Sequence, residues 1–208
     1  MRSSSESKYA RQEWERRFLL KRLPPDARIV RVRRILDHYI DGTNLRLRRQ
    51  ADDFQTGQPQ TDDPHNTQSA AKSRMAESKV AKPRTMFKLT QKLRSEGTGA
   101  LQGTITSFYL SEAEFSVLAK LPAQTLQKTR YSVPPFGIDL FEGELQGLVL
   151  AEAEFSSAEE AARLPLPPQI AGEFLREVTN DLRFTGGELV RTSRLELRRL
   201  LEEFRLKI

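Results

Sequence analysis

Polar and apolar residues alternate along much of the chain. The stretch EWERRFLL, residues 13–20, spaces Glu13, Glu15 and Arg17 two apart, with Trp14 and mainly apolar side chains between them. Because side chains at i and i+2 of a strand share a face, this spacing predicts a strand with one charged and one apolar face. A helix is the alternative, since Glu13 and Arg17 also fit an i,i+4 ion pair.

Seven further segments have the pattern of strands, and helix signals fall between them. RRILDHYI and NLRLRR flank the turn signal Asp41-Gly42, and the others are TMFKLTQK, GTITSFYL, LQKTRYSV, FGIDLFEG and LQGLVLAEAEF. Capping boxes at Ser111–Glu114, Ser156–Glu159 and Ser193–Glu196 predict helix starts, the last helix covering about residues 193–206. The order predicts an α+β fold, and eight antiparallel strands are enough to close a barrel with flanking helices.

One long polar stretch interrupts this pattern. Residues from about 51 to 84 contain almost no large apolar side chains, so they cannot offset the entropy lost on ordering. We therefore expect a disordered insertion between two strands. The whole chain of 208 residues is then one domain, with a core over about residues 11–190.

Composition narrows the classes of function. The net charge of +6 favours an anionic partner. There is no cysteine, and the two histidines, His38 and His65, make a Ser-His-Asp triad or a two-histidine zinc site a poor expectation. No apolar run is long enough to span a bilayer and no secretory signal is visible, so we expect a cytoplasmic protein without a membrane partner. The basic segment KSRMAESKVAKPR lacks interleaved aromatic residues, so we do not expect a nucleic acid partner.

The charged residues form a set across five strands. A single pair of like charges two apart is ordinary solvated surface, but here acids fall in the first and late strands and bases between them. The bases are Arg46, Arg48, Lys88, Lys92, Lys128 and Arg130, and the acids are Glu13, Glu15, Glu152 and Glu154. In a closed barrel they would face one lumen, which a polyanion and Mg²⁺ or Mn²⁺ would neutralise.

With this arrangement of charged strands, the sequence resembles the CYTH domain of the triphosphate tunnel metalloenzyme superfamily. The ordered matches are EWERR, GTNLRLR, FKLTQK, KTRY, IDLFEGELQGLVLAEAEF and EVTNDLRF. The resemblance implies an eight-stranded tunnel that binds a triphosphate with a divalent metal. It also implies that the four glutamates serve the metal with help from Asp139, and that the six bases together with Arg183 hold phosphates.

Two departures from the family pattern concern the chemistry. Arg17 stands where the signature has lysine, which by resemblance works with a tyrosine, here Tyr39, to position or deprotonate water. Arginine cannot act as a base, although it can still bind phosphate. The strand GTITSFYL carries no charge where the family often does.

We expect a metal-dependent hydrolase of inorganic triphosphate or another small triphosphate. A catalytically weak phosphate-binding module and an adenylate cyclase of class IV type are the alternatives. The sequence leaves open which triphosphate is used, which metal is preferred, and whether the chain forms a homodimer.

Overall fold

The structure is a computed structural model that describes residues 10–53, 84–94, 102–165 and 168–208. One sheet of nine strands makes up most of it. The strands are β1 (Arg11–Leu20), β2 (Arg31–Ile40), β3 (Leu45–Asp53), β4 (Thr85–Arg94), β5 (Gln102–Leu110), β6 (Ala123–Val133), β7 (Phe136–Phe141), β8 (Val149–Phe155) and β9 (Phe174–Glu177). The segment EWERRFLL is therefore a strand, and its helical alternative is wrong.

The sheet closes on itself. Its order is β5-β4-β3-β2-β6-β7-β8-β1, and β1 returns to pair with β5, so eight antiparallel strands form a barrel as the sequence predicted. The first half of β1 pairs with β5, whereas its last residues pair with the short strand β9, which the alternation did not predict.

The register turns the charged rows to one side. Arg17 lies opposite Glu152 in the β1–β8 pair, and Arg48 lies opposite Lys88 in the β3–β4 pair. Residues directly opposite each other share a face of the sheet, so these rows share the inner face. On the outer face, the apolar residues of β3 and β4 pack against the first helix, α1 (Glu112–Leu118).

Four more helices follow: α2 (Ala158–Arg163), α3 (Pro168–Ala171), α4 (Gly186–Leu189) and α5 (Arg194–Glu202). Capping boxes begin α1 and α5 as predicted, but α5 ends earlier than residue 206. The box expected at Ser156 is displaced by one residue, because Ser157 caps α2 by accepting from the backbone N–H of Glu160.

An apolar core fills one end of the barrel. Leu19 and Leu150 continue the inward rows beyond Arg17 and Glu152, and both are fully buried. They belong to the same cluster as the apolar side of α5, so the C-terminal segment packs onto the ends of β1 and β8. The charged rows therefore begin where this core stops.

The predicted insertion falls between β3 and β4. Its first residues, Ala51 to Asp53, are part of β3, so the boundary drawn at residue 51 is wrong by three residues. Residues 54–83, on which the disorder prediction rests, lie outside the described residues. Within the described ranges, no helix has the length and apolar character needed to cross a membrane.

Candidate active site

A cavity of about 790 Å³ occupies the barrel interior. Residues from all eight barrel strands except β7 line it, together with α4 and the residues around that helix. The predicted site residues on its lining are Glu13, Glu15, Arg17, Tyr39, Arg46, Arg48, Lys88, Lys92, Lys128, Arg130, Glu152 and Glu154. The structure thus brings together nearly the whole set that the alternation selected.

One side of the cavity, which we call the basic wall, consists of Arg46, Arg48, Lys88, Lys128 and Arg130. Behind it lies Asp37, which is 1% exposed and which the sequence analysis missed. Arg48 donates to both carboxylate oxygens of Asp37, at 2.6 and 2.7 Å, and Arg46 lies 3.8 Å away. Burial alone would raise the pKa of Asp37, but these two guanidinium groups hold it well below its usual range. Asp37 fixes the direction of both arginines.

Asp139 performs the same task on the other half of the basic wall. It is completely buried, Arg130 donates to it twice at 2.6 Å, and Lys128 also donates to it. The resemblance implied that Asp139 would help to bind metal. In this structure both of its oxygens contact cations of the basic wall, and a role with metal stays a prediction.

Arg130 reaches across the sheet because its neighbour is a glycine. A Cβ on Gly137 would come within 3.1–3.3 Å of three atoms of the Arg130 side chain, so that side chain lies directly on the glycine backbone. This path also lets Arg130 donate to Glu152, the residue opposite Gly137 in β8. Gly137 therefore allows one guanidinium to join the two sides of the cavity.

The opposite side, which we call the acidic wall, consists of Glu13, Glu15, Glu152 and Glu154. Two cations lie within it. Lys92 contacts Glu13 at 2.8 Å and Glu15 at 2.7 Å, and Arg17 contacts Glu15 at 3.0 Å and Glu152 at 3.7 Å. Lys92 was expected to hold phosphate, but in this structure its ammonium group is bound between two glutamates.

The four acidic side chains differ in their electrostatic environment. Burial would raise the pKa of Glu152, but Lys128, Arg130 and Arg17 lower it well below its ordinary value. Burial instead dominates at Glu154, and together with the nearby charges of Glu13 and Glu15 it raises the pKa of that carboxyl group. Among the described residues, Glu154 is the one member of the acidic wall without an ion pair.

This donor set fits a divalent cation in chemistry, since carboxylates are the hard oxygen ligands that Mg²⁺ and Mn²⁺ accept. It does not form a finished cage. In the described parts of the chain, no three acidic, histidine or cysteine side chains are grouped closely enough to hold a metal ion. Mg²⁺ is commonly held by one or two carboxylates together with substrate phosphates. The acidic wall has enough carboxylates for a site of that kind.

Lys88, a member of the basic wall, has a pKa that is lowered toward neutrality. Burial, followed by the charges of Arg48 and Arg46, lowers the pKa of Lys88 to about 8. A bound anion would raise the pKa of Lys88 again, because an opposite charge nearby favours the charged form.

Tyr39 lies on β2, on the opposite side of the barrel from Arg17 on β1. Its hydroxyl group lies near Arg46 and packs against Gly186, where a Cβ would come within 2.0 Å of the oxygen. Burial and the neighbouring Asp37 raise the pKa of Tyr39, which leaves it protonated at neutral pH. The structure therefore does not favour Tyr39 as a base that acts together with Arg17.

Arg183 does not reach the cavity. It lies in a short 3₁₀ turn, Leu182–Phe184, is half exposed, and pairs with Asp181 at 2.7 Å and Glu203 at 2.9 Å. Its expected role in phosphate binding is corrected by this position. On the uncharged strand β5, the inward side chains include Ser107 and Tyr109, whereas Thr104 and Thr106 belong to the outer face.

Comparisons with known proteins give matches among solved structures. No protein-family model matches the chain, and no curated protein matches it in sequence. The chain is similar to two structures of NE1496. One, described as a hypothetical protein, is 24% identical over 87% of this chain and 99% of that chain, with a TM-score of 0.47. The other, described as an inorganic triphosphatase, is 23% identical over 86% of this chain and 93% of that chain, with a TM-score of 0.46. The chain is also similar to a conserved hypothetical protein from Pyrococcus furiosus (15% identity, 94% of this chain and 91% of that chain, TM-score 0.41).

Proposed function

We propose that this chain is a triphosphatase of the CYTH type, which binds inorganic triphosphate or another small triphosphate in the barrel lumen and hydrolyses it with a divalent cation. The observation that carries the proposal is the basic wall, in which five cations on three strands face one cavity and two buried aspartates fix four of them. Guanidinium groups held in this way match the oxygens of a chain of phosphates.

The need for a divalent cation follows from the charge of the lumen. The seven bases of the two walls are balanced by six acids, four in the acidic wall and two buried behind the basic wall, so these groups alone offer little net positive charge to a polyanion such as triphosphate. The bases are Arg17, Arg46, Arg48, Lys88, Lys92, Lys128 and Arg130, and the acids are Glu13, Glu15, Asp37, Asp139, Glu152 and Glu154. Mg²⁺ or Mn²⁺ would be held at the acidic wall, where it would neutralise phosphate oxygens and lower the pKa of a bound water.

The basic wall would perform the remaining work. Arg46 and Arg48 would hold the phosphate chain, while Lys128 and Arg130 would stabilise the charge that spreads over the transferred phosphoryl group. Water attacks the terminal phosphorus, the bridging P–O bond breaks, and phosphate and the shortened chain leave. Positioning and electrostatics supply nearly all of the catalysis in such reactions, so no protein nucleophile is required.

The direct test measures release of phosphate and pyrophosphate from tripolyphosphate, ATP and thiamine triphosphate, with and without Mg²⁺ or Mn²⁺. We expect metal-dependent release, and at least about a hundred-fold loss of kcat/KM in Arg48→Ala, as removal of a strong charge-assisted contact implies. Arg49→Ala is the matched control, because Arg49 is the next residue in β3 and its side chain is exposed on the outer face. Equal activity of the two variants would contradict the proposal.

A catalytically weak phosphate-binding module is the second candidate. One observation favours it: Arg17, Lys92 and Arg130 already neutralise three of the four glutamates. Tight binding of tripolyphosphate without hydrolysis in the presence of any divalent metal would favour this function. The basic wall would then still bind the phosphates.

A further inference from the structure

Arg17 lies inside the acidic wall rather than beside the phosphate site. Its side chain is 3% exposed, and its Nε atom lies 3.0 Å from Oε1 of Glu15 and 3.7 Å from Oε1 of Glu152. One guanidinium group therefore bridges carboxylates on the adjacent strands β1 and β8. Its buried Nη1 atom has no hydrogen-bond partner among the described residues, although Arg17 lines the cavity, so a phosphate oxygen could complete its bonding.

The two carboxylates that Arg17 bridges have further cationic partners. Lys92 donates to Glu15 at 2.7 Å, and Arg130 donates to Glu152 across Gly137. Three protein cations thus surround two carboxylates in a largely buried part of the cavity wall. Arginine stays protonated at every pH at which proteins fold, so this half of the acidic wall cannot release its positive charge by losing a proton from Arg17.

The other half of the acidic wall has the opposite character. Glu154 lies directly across from Glu15 in the β1–β8 ladder, yet in the described part of the chain it makes no ion pair. Glu13 and Glu15, its neighbours in the acidic wall, share the single ammonium group of Lys92. Negative charge is in excess around Glu154, which is where an added cation would be most favoured.

We infer that Arg17 is a resident cation that takes the place of a divalent ion between Glu15 and Glu152, so that a single divalent ion enters beside Glu154 and Glu13, and does so with the substrate phosphates. The part of this inference that involves phosphates depends on the proposed function, whereas the part that involves Arg17 does not. A carboxylate pair completed by phosphate oxygens is an ordinary environment for Mg²⁺.

The test is Mn²⁺ binding to the full chain, measured by calorimetry and by electron paramagnetic resonance, with and without imidotriphosphate as a slowly hydrolysed analogue. For the parent protein we expect no saturable binding of Mn²⁺ alone below about 1 mM, and one Mn²⁺ per chain once imidotriphosphate is present. In Arg17→Gln, two glutamates lose a cation, so Mn²⁺ alone should bind at least about ten-fold more tightly than to the parent.

Two further variants complete the design. Arg17→Lys keeps the charge and should bind Mn²⁺ as weakly as the parent. Arg16→Gln is the matched control, because Arg16 is the neighbouring arginine on the outer face of β1, where it pairs with Glu177 at 2.8 Å. It should also behave as the parent does.

Several outcomes would overturn the inference. These are saturable binding of Mn²⁺ alone to the parent with an affinity equal to that of Arg17→Gln, two Mn²⁺ ions per parent chain with imidotriphosphate, or tight binding of Mn²⁺ alone by Arg17→Lys. If Arg17→Gln does not fold, the stoichiometry of the parent still decides. A parent that does not hydrolyse triphosphate would refute the proposed function alone, because the titration of Mn²⁺ without phosphate is unaffected by turnover.

Discussion

The basic wall and the acidic wall differ in how their charges are held. In the basic wall, Asp37 and Asp139 are buried behind the cations, which they fix while leaving the cavity surface positive. In the acidic wall, Arg17 and Lys92 stand among the glutamates and neutralise them within the cavity itself. The basic wall presents its cations to an anion, whereas three of the four glutamates of the acidic wall are already paired with protein cations.

This difference has a physical basis. A buried charge loses its hydration, and this loss of free energy must be offset by short, well-directed hydrogen bonds. The aspartates make such bonds to the cations in front of them. A cation beside a carboxylate in the cavity competes with any added metal for the same oxygens. We therefore expect mutations behind the basic wall to lower both the free energy of unfolding and the affinity for triphosphate. Mutations in the acidic wall should change one of these properties without the other.

The largest effect is expected for Asp37→Ala. Removal of this carboxylate leaves Arg48 buried without its partner, which should lower the free energy of unfolding by about 3–5 kcal/mol. Urea unfolding at pH 7 measures this change. Because the pKa of Asp37 is lowered in the folded state, its stabilisation is present above the ordinary carboxyl pKa of about 3.9 and is lost as pH falls. The difference between parent and variant should therefore shrink in acid.

A cross-strand pair outside the cavity supplies the control. Arg31 and Asp52 are also bidentate, at 2.6 and 2.8 Å, but their side chains are 38% and 25% exposed. Asp52→Ala should cost about 1 kcal/mol or less, since exposed ion pairs contribute little. If both aspartates cost the same, Asp37 has no special anchoring role.

In the acidic wall, Glu154→Gln should separate activity from stability. Loss of this carboxylate should reduce metal-dependent hydrolysis about ten-fold or more, because even changes next to metal ligands have effects of that size. Stability at pH 7 should be unchanged or higher. The raised pKa of Glu154 means that its charge opposes folding, and this cost appears as pH rises above about 4.5.

The partner variant Glu152→Gln should behave in the opposite way in unfolding experiments. It removes the shared partner of Arg130 and Arg17, so the free energy of unfolding at pH 7 should fall. Steady-state kinetics and urea unfolding of both variants provide the comparison. Equal loss of stability would show that the two glutamates occupy equivalent environments.

We expect the affinity for triphosphate to depend on pH through Lys88. The expected change is about ten-fold, which corresponds to the loss of one charge-assisted hydrogen bond. The Lys88 pKa of about 8 implies that the Kd rises above that pH as the side chain becomes neutral. Lys88→Arg should keep affinity constant to higher pH. Calorimetry in buffers of different ionisation enthalpy should also detect proton uptake on binding near pH 8 in the parent, and the absence of uptake would place the pH dependence elsewhere.

The smallest effect is expected for Tyr39→Phe. This change removes the hydroxyl group that lies beside Arg46, and it should raise the Kd for triphosphate a few-fold with little change in kcat, since one polar contact is worth about 1 kcal/mol. Parallel measurements of Kd and kcat distinguish the two effects. A large fall in kcat at constant Kd would instead give Tyr39 a direct part in activating water.

The sequence could predict which face of its strand each site residue occupies. Alternation selects an inner face without any knowledge of partners, which is why Glu13, Arg48 and Glu152 were assigned correctly to one cavity. Asp37 was missed because the residues two positions away on the same face of β2, Ile35 and Tyr39, carry no charge that would make it part of a repeating charged pattern. A signal was nevertheless present, since Asp37 is two residues before Tyr39 on the same strand.

Ion-pair partners on other strands could not be predicted in the same way. Asp139 was given a helping role with metal by resemblance, and sequence spacing does not show that Lys128 and Arg130 contact it. Lys92 was placed with the phosphate-binding bases for the same reason, although it contacts two glutamates. Arg183 was assigned by resemblance alone, with no strand phase to support it, and it lies on the surface.

The most direct test is a crystal structure of the full chain with imidotriphosphate and Mn²⁺, with manganese located by its anomalous signal. We expect phosphate oxygens bound to Arg46, Arg48 and Arg130, and a single manganese ion between those oxygens and Glu154. Phosphate bound outside the lumen, or manganese between Glu15 and Glu152 with Arg17 displaced, would contradict this expectation.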